Sequence, residues 1–117
     1  MLKRKYRLTK NSAFNATYRI KHSYCKSGII LWVGKEKTEN FPTRTAFVVS
    51  KKTNKRAVRR NRLKRLMRES YRVFLKNGSI QNSQKYMSLI FVGQNKALGK
   101  NFKEIQSIMF ELLDGIK

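Results

Sequence analysis

The chain has 117 residues, with 28 Lys or Arg against 6 Asp or Glu and a formal net charge of +22. That length suits one domain with a modest core, while the charge opposes compaction and draws the chain towards phosphates or anionic lipid. No stretch approaches the roughly 20 apolar residues of a membrane span, and the basic start lacks the apolar core of a signal peptide. Cys25 is the single cysteine, which excludes an intrachain disulfide and a cysteine zinc cluster. A nucleic acid is therefore the expected partner, and a reducing cytoplasm the expected compartment.

Residues 1–10 read as a basic arm. Asn11 or Ser12 is the expected N-cap of a short helix that carries Phe14 and Tyr18 on one face. Gly28-Ile29-Ile30-Leu31-Trp32-Val33 is β-rich and predicts a strand, whereas Glu36 to Thr43, with Asn40 and Pro42, predicts a loop. Thr45-Ala46-Phe47-Val48-Val49-Ser50 predicts a second strand. Lys51 to Arg56 then connects to a long helix from Ala57 to Lys76, which Asn77-Gly78 should stop because glycine accepts the left-handed conformation there. Residues 79–85 read as a polar loop, and Cys25 as a half-buried small side chain.

Ser88-Leu89-Ile90-Phe91-Val92 predicts a third strand closed by Gly93. Asn101 and Glu104 form a capping-box pair that opens a last helix. Its apolar stripe is Phe102, Ile105, Ile108, Met109, Leu112 and Leu113. The pattern is a single α+β domain spanning 1–117, with helices covering a small sheet.

Ten of the eighteen positions from Lys51 to Arg68 are Lys or Arg and none is acidic. On a helical wheel Leu63, Leu66, Met67, Ser70 and Phe74 share one side, and Asn61, Arg65, Arg68 and Arg72 the other. Arg60, Arg62 and Lys64 flank the apolar stripe. Only Glu69 can compensate these cations at helical spacing, so they repel one another when unbound. Arginine in particular binds phosphate through two parallel hydrogen bonds. The segment thus predicts a helix that docks on a sheet and offers guanidiniums to RNA or DNA.

Enzyme chemistry within the chain is not indicated. His22 stands beside no acidic motif and reads as a surface or groove residue. The acids Glu36, Glu39, Glu69, Glu104, Glu111 and Asp114 form neither a metal-ligand spacing nor an acid–base pair. No glycine-rich phosphate loop is present.

Phe47-Val48-Val49-Ser50-Lys51-Lys52 followed by Ala57-Val58-Arg59-Arg60-Asn61-Arg62-Leu63-Lys64-Arg65-Leu66-Met67-Arg68-Glu69 resembles the signature of the bacterial ribonuclease P protein component, with its RNR-motif helix. Arg7-Leu8 and Phe14 match that family's N-terminal pattern, and the resemblance covers nearly the whole chain. It departs at Thr45-Ala46, where relatives have a glycine, at the longer turn Thr53-Asn54-Lys55-Arg56, and around Met87, Ser88 and Gly93. The resemblance implies an α/β sandwich of three helices on an about four-stranded sheet, with an extra strand around Ser23 to Lys26 and a left-handed βαβ crossover. It also implies a protein that binds a large catalytic RNA and precursor tRNA, so that the complex removes the 5′ leader. Mg2+ would be required by the RNA subunit and no cofactor bound by the protein, which would be monomeric in a 1:1 complex with the RNA.

By the same resemblance, contacts to the catalytic RNA fall on Lys51, Lys52, Arg60, Asn61, Arg62, Lys64, Arg65 and Arg68. The leader cleft falls on Phe14, Tyr18, Ile30 and Trp32, of which Ile30 and Trp32 share a strand face by the period of two. Aromatics flanked by cations suit single strands with little sequence preference. A small ribosomal or general RNA-binding protein, or a DNA-binding protein with its helix in a major groove, would share the charge and size. Neither alternative gives a reason for Phe14, Tyr18 and Trp32 to meet on an open surface.

Overall fold

A computed structural model describes residues 4–50, 52, 55–78 and 81–116. Its regular elements are α1 (Asn11–Ile20), β1 (His22–Lys26), β2 (Ile29–Val33), β3 (Arg44–Val49), α2 (Ala57–Asn77), β4 (Ser88–Gly93) and α3 (Phe102–Asp114). Lys51, the Thr53-Asn54 part of the connection, the first three residues of the expected arm and residues 79 and 80 of the expected loop lie outside the described residues.

The four strands form one sheet in the order β1-β2-β4-β3. β4 pairs antiparallel with β2 and parallel with β3, and α2 is the crossover that a parallel pair requires. Side-chain alternation sorts the sheet into two apolar layers. Ile29, Leu31, Val33, Leu89 and Phe91 join Leu63, Met67 and Tyr71 of α2 and Ile105 and Met109 of α3 in the larger core. Ile30, Trp32, Ile90, Val92, Ala46 and Val48 face the opposite way, where Phe14 and Tyr18 of α1 pack. Phe47 stacks on Phe91 with ring centroids 5.6 Å apart, and the buried Tyr71 meets both rings. The result is a three-layer sandwich with α1 on one face and α2 and α3 on the other.

Local chemistry explains the element ends. Gly78 closes α2 at φ 67°, donating its N–H towards Leu75 and Phe74, as the Asn-Gly stop predicts. Asn101 and Glu104 form the reciprocal capping box at α3. Other expectations need correction. α1 begins at Asn11 with Lys10 as N-cap and no side-chain cap bond, so neither Asn11 nor Ser12 caps it. Residues 81–85 form a 3₁₀ turn rather than a loop. Phe102 is exposed, because it sits in the first turn of α3 beyond the reach of the core, while the rest of its stripe is buried. Cys25 is exposed instead of half-buried, because it lies on edge strand β1 opposite Ile30, on the face that α1 covers mainly over β2 and β4.

The extra strand expected around Ser23 to Lys26 is present as β1. Two features go beyond the expectations from sequence: the turn of the arm and the turn that joins β1 to β2. Arg4–Tyr6 form a 3₁₀ turn, after which Leu8 is buried and its N–H donates to the Thr45 carbonyl at 2.9 Å. The basic arm is thereby tied to the edge of β3. β1 and β2 form a hairpin through Ser27 and Gly28, both at positive φ (48° and 89°), the signature of a two-residue primed turn. A Cβ on Gly28 would lie 2.6 Å from the backbone nitrogen of Ala97, in the turn that follows β4.

Gly28→Ala therefore meets both left-handed strain and overpacking, and should destabilise the protein by about 2 kcal/mol or more in denaturant unfolding. Burial holds the Tyr71 phenol above its ordinary pKa of 10.0, although Gln84 Nε2 donates to its oxygen at 3.1 Å. The unfolded chain thus ionises this group first, so its contribution to stability is complete below about pH 10 and is lost as pH rises beyond. The stability advantage of the parent over Tyr71→Phe should be constant at lower pH and shrink above that point.

Candidate nucleic-acid interface

α2 buries Leu63, Met67, Ser70, Tyr71 and Phe74 against the sheet and α3. Leu63 reaches Gly93, where a Cβ would come within 2.6 Å of Leu63 Cδ2, so glycine at the end of β4 lets the helix seat closely. Much of its remaining surface is cationic. Asn61, Arg62 and Arg65 are exposed, and Arg60, Lys64 and Arg68 are half-buried on the flank beside Tyr71. These three recur every fourth residue, which stacks them along one line about 6 Å apart.

The cations are held unequally. Arg60 Nη1 donates to the Lys55 carbonyl at 3.0 Å, and Arg62 Nη1 donates to the Lys100 carbonyl at 3.2 Å. Arg62 thereby ties the start of α2 to the loop before α3. Arg72 is neutralised by Glu69, with Nε and Nη2 at 3.2 and 3.0 Å from one carboxylate oxygen. Arg65 and Arg68 have no carboxylate partner among the described residues. Lys52 is exposed in the turn beyond β3, and Lys51 lies outside the described residues. Helical periodicity groups Arg72 with this row, but its ion pair makes it the least available member.

The second site lies across the sheet. Phe14, Tyr18 and Trp32 come together there in one apolar cluster. Ile30 shares their sheet face two residues from Trp32 on β2 and is not part of that cluster; all four are half-buried. Tyr18 meets Trp32 edge to face, with centroids 5.2 Å apart and planes at 80°. Burial raises the Tyr18 phenol above its ordinary pKa. None of these side chains lies under α3, which packs on the other face. Register brings further residues to the same surface: Val92 opposite Ile30, and Ser23 and Cys25 beyond them on β1, while Ile90, opposite Trp32, is fully buried. Sequence reasoning missed these, since only strand order reveals them. Thr17 anchors α1 here through a hydrogen bond between its hydroxyl and that of Ser88, both buried.

His22 faces the other layer, with Nε2 2.7 Å from the Tyr24 hydroxyl and its ring against Tyr86. Among the described residues no group of His, Cys, Asp and Glu could hold a metal ion, and no helix is long and apolar enough to cross a membrane. What the arrangement can do is bind. A helix of cations has the chemistry to grip phosphates on one face, and half-open aromatics offer stacking surfaces on the other.

The family model described as Ribonuclease P matches residues 2–117. The Ribonuclease P protein component of Clostridium novyi (strain NT) is 36% identical over 112 residues, covering 96% of this chain and 94% of the relative. That of Alkaliphilus oremlandii (strain OhILAs) is 38% identical over 107 residues, covering 92% and 87%. Among solved structures, the Staphylococcus aureus RNase P protein superposes with a TM-score of 0.77 at 27% identity, covering 93% of each chain. The Thermotoga maritima RNase P protein gives a TM-score of 0.77 at 23% identity over 95% of this chain and 97% of its own, a likeness of fold.

Replacing both Arg65 and Arg68 by Ala should weaken binding to RNA without unfolding the helix, whose buried face is untouched. The slope of log affinity against log salt should flatten by about 0.7–0.9 for each phosphate that is no longer neutralised. An unchanged slope in a salt titration would show that these guanidiniums do not meet phosphates.

Proposed function

This chain belongs to the ribonuclease P protein family, and we propose that it acts as the protein subunit of ribonuclease P, which removes the 5′ leader from precursor tRNA. In this reading the exposed row of α2, with Lys51 and Lys52 at the end of β3, binds the catalytic RNA. The cleft of Phe14, Tyr18, Ile30 and Trp32 takes the single-stranded leader. The RNA subunit carries the hydrolysis with its Mg2+ ions, and the protein contributes binding and positioning, as one copy per RNA in the cytoplasm.

One observation carries the reading: the cationic helix and the half-open aromatics occupy opposite faces of the same sheet. Two RNA elements can therefore be held at once by a rigid body. A protein that merely neutralised structural RNA would need the cations and not the aromatic surface. Here the apolar rings remain partly open, although closing them under a longer helix would stabilise the fold.

The mechanism that follows is electrostatic and geometric. Cations on α2 lower the repulsion within the folded RNA, so fewer Mg2+ ions are needed to assemble it. Bases of the leader stack on Trp32 and Tyr18, which fixes the strand on one side of the scissile bond and converts a loose encounter into an oriented one. Stacking asks little of base identity, which suits leaders of varied sequence.

Reconstituted with a bacterial ribonuclease P RNA, the protein should lower the Mg2+ concentration needed for precursor cleavage. Trp32→Ala should weaken binding of precursor by about 5- to 150-fold, the equivalent of roughly 1–3 kcal/mol of stacking. Mature tRNA, which has no leader, should bind the parent and the variant complexes equally. An unchanged Mg2+ requirement would point instead to a general RNA-binding protein.

A further inference from the structure

α1 has two flanks, and the aromatic cleft uses only one. On the other flank lies a groove of about 650 Å³, between α1, the arm before it and the loop that joins β2 to β3. That volume is within the range of about 300–1,000 Å³ typical of small-ligand sites. Its walls are apolar: Leu8, Ala13, Ala16 and Ile20 on one side, Phe41 and Met87 on the other. Ala13 and Ala16 hold it open, because longer side chains at those positions would fill it. Its polar floor is already satisfied, since the buried Thr17 and Ser88 hydroxyls bond to each other.

The mouth is quite different. Lys5, Arg19, Lys35 and Arg44 line the groove, all four are exposed, and no acidic residue lines it. None of the four has a carboxylate partner among the described residues. Ile20 remains 46% exposed at the edge, an apolar side chain left to water. The loop wall is not loose, because Thr43 Oγ1 donates to the Tyr86 carbonyl at 2.7 Å and the Lys37 N–H donates to the Lys85 carbonyl at 2.8 Å.

We propose that this groove is a second nucleotide site, which takes an unpaired base of RNA between Ile20 and Phe41 and its flanking phosphates on Arg19 and Arg44. The chemistry calls for a ligand with a flat apolar part and a negative charge at its edge, and a nucleotide has both. Complementarity to the four cations favours a polyanion over a neutral apolar partner. The cleft lies only one helix width away, about 10–12 Å, so a single strand that stacks on Trp32 can continue over α1 into the groove. The proposal rests on the reading of the protein as an RNA-binding subunit and extends the path of the bound strand.

The test uses the full chain and a length series of oligouridylates, with two readouts. Emission of Trp32, the only tryptophan, reports the cleft. Total affinity and its salt slope report the whole path. The Trp32 response should saturate with short oligomers while affinity continues to rise with longer ones. Arg19→Ala with Arg44→Ala should abolish that later rise and flatten the salt slope by about 0.7 for each phosphate no longer neutralised, leaving the Trp32 response intact. Ala16→Phe fills the groove without changing charge, and should also abolish the rise. If Ala16→Phe leaves the length dependence unchanged, the groove holds no base. Tighter binding of oligoglutamate than of oligouridylate, sensitive to the same substitution, would also overturn the proposal in favour of an acidic protein partner. A silent Trp32 together with groove-sensitive affinity would refute the cleft and leave the groove standing.

Discussion

Burial of β4 on both faces is the constraint from which the other elements take their positions. Leu89 and Phe91 point into one apolar layer and Ile90 and Val92 into the other. Each fully buried side chain of this size contributes about 1.5–3 kcal/mol, but only if both layers are covered. One helix could not cover both. α2 and α3 close the larger layer, and α1 closes part of the smaller one, held by Thr17 against Ser88 at the start of β4 itself. A one-residue slip of β4 would exchange the two sets of side chains and mismatch both layers at once, so register and helix placement specify each other.

That apolar frame works against its own charge. Glu69 pairs with Arg72, Glu104 lies 3.9 Å from Lys100, and Glu111 pairs with Lys26. Such exposed pairs contribute little, and they leave most of the 28 basic residues unmatched. The excess is tolerated because the cations are spread over the surface and screened by salt beyond about 8–10 Å. Where they do crowd together, the core behind them is strongest. α2 carries its densest charge directly behind Leu63, Met67 and Tyr71, all essentially inaccessible to water. The helix can therefore present mutually repelling guanidiniums without fraying.

The parts of this architecture that repeat along the chain were legible in the sequence. The apolar periods of α2 and α3, the Asn-Gly stop and the Asn101–Glu104 box each fix an element through contacts within a few residues. The three long strands were readable for the same reason, and the motif resemblance supplied Phe14, Tyr18, Ile30 and Trp32 as a group. Features made by distant residues were not. The β1–β2 turn places Ser27 at positive φ, a conformation that serine does not advertise. The place of Val92 beside the cleft, and of the fully buried Ile90 opposite Trp32, depends on which strand neighbours β2. The exposure of Phe102 depends on where the sheet ends, since its helical period alone would bury it. The groove beside α1 is hardest of all to read, because it depends on the small size of Ala13 and Ala16 opposite a loop that only the fold brings near.

Separating the two surfaces proposed to bind RNA has a physical consequence. Packed layers are about 10 Å apart, so the outer surface of α2 and the aromatics under α1 are separated by roughly two layers of protein. That distance exceeds the screening length of about 8 Å at physiological salt. Phosphates bound on one face therefore do little to repel phosphates on the other, whereas two strands on one face would compete for the same cations and crowd their own charges. The intervening sheet is also the stiffest part of the molecule, buried on both sides. In the proposed reading, an RNA gripped through α2 fixes the direction in which a strand leaves Trp32 and Tyr18. A small change in how Leu63 seats on Gly93, and Tyr71 on Phe47 and Phe91, would re-aim that strand without touching it.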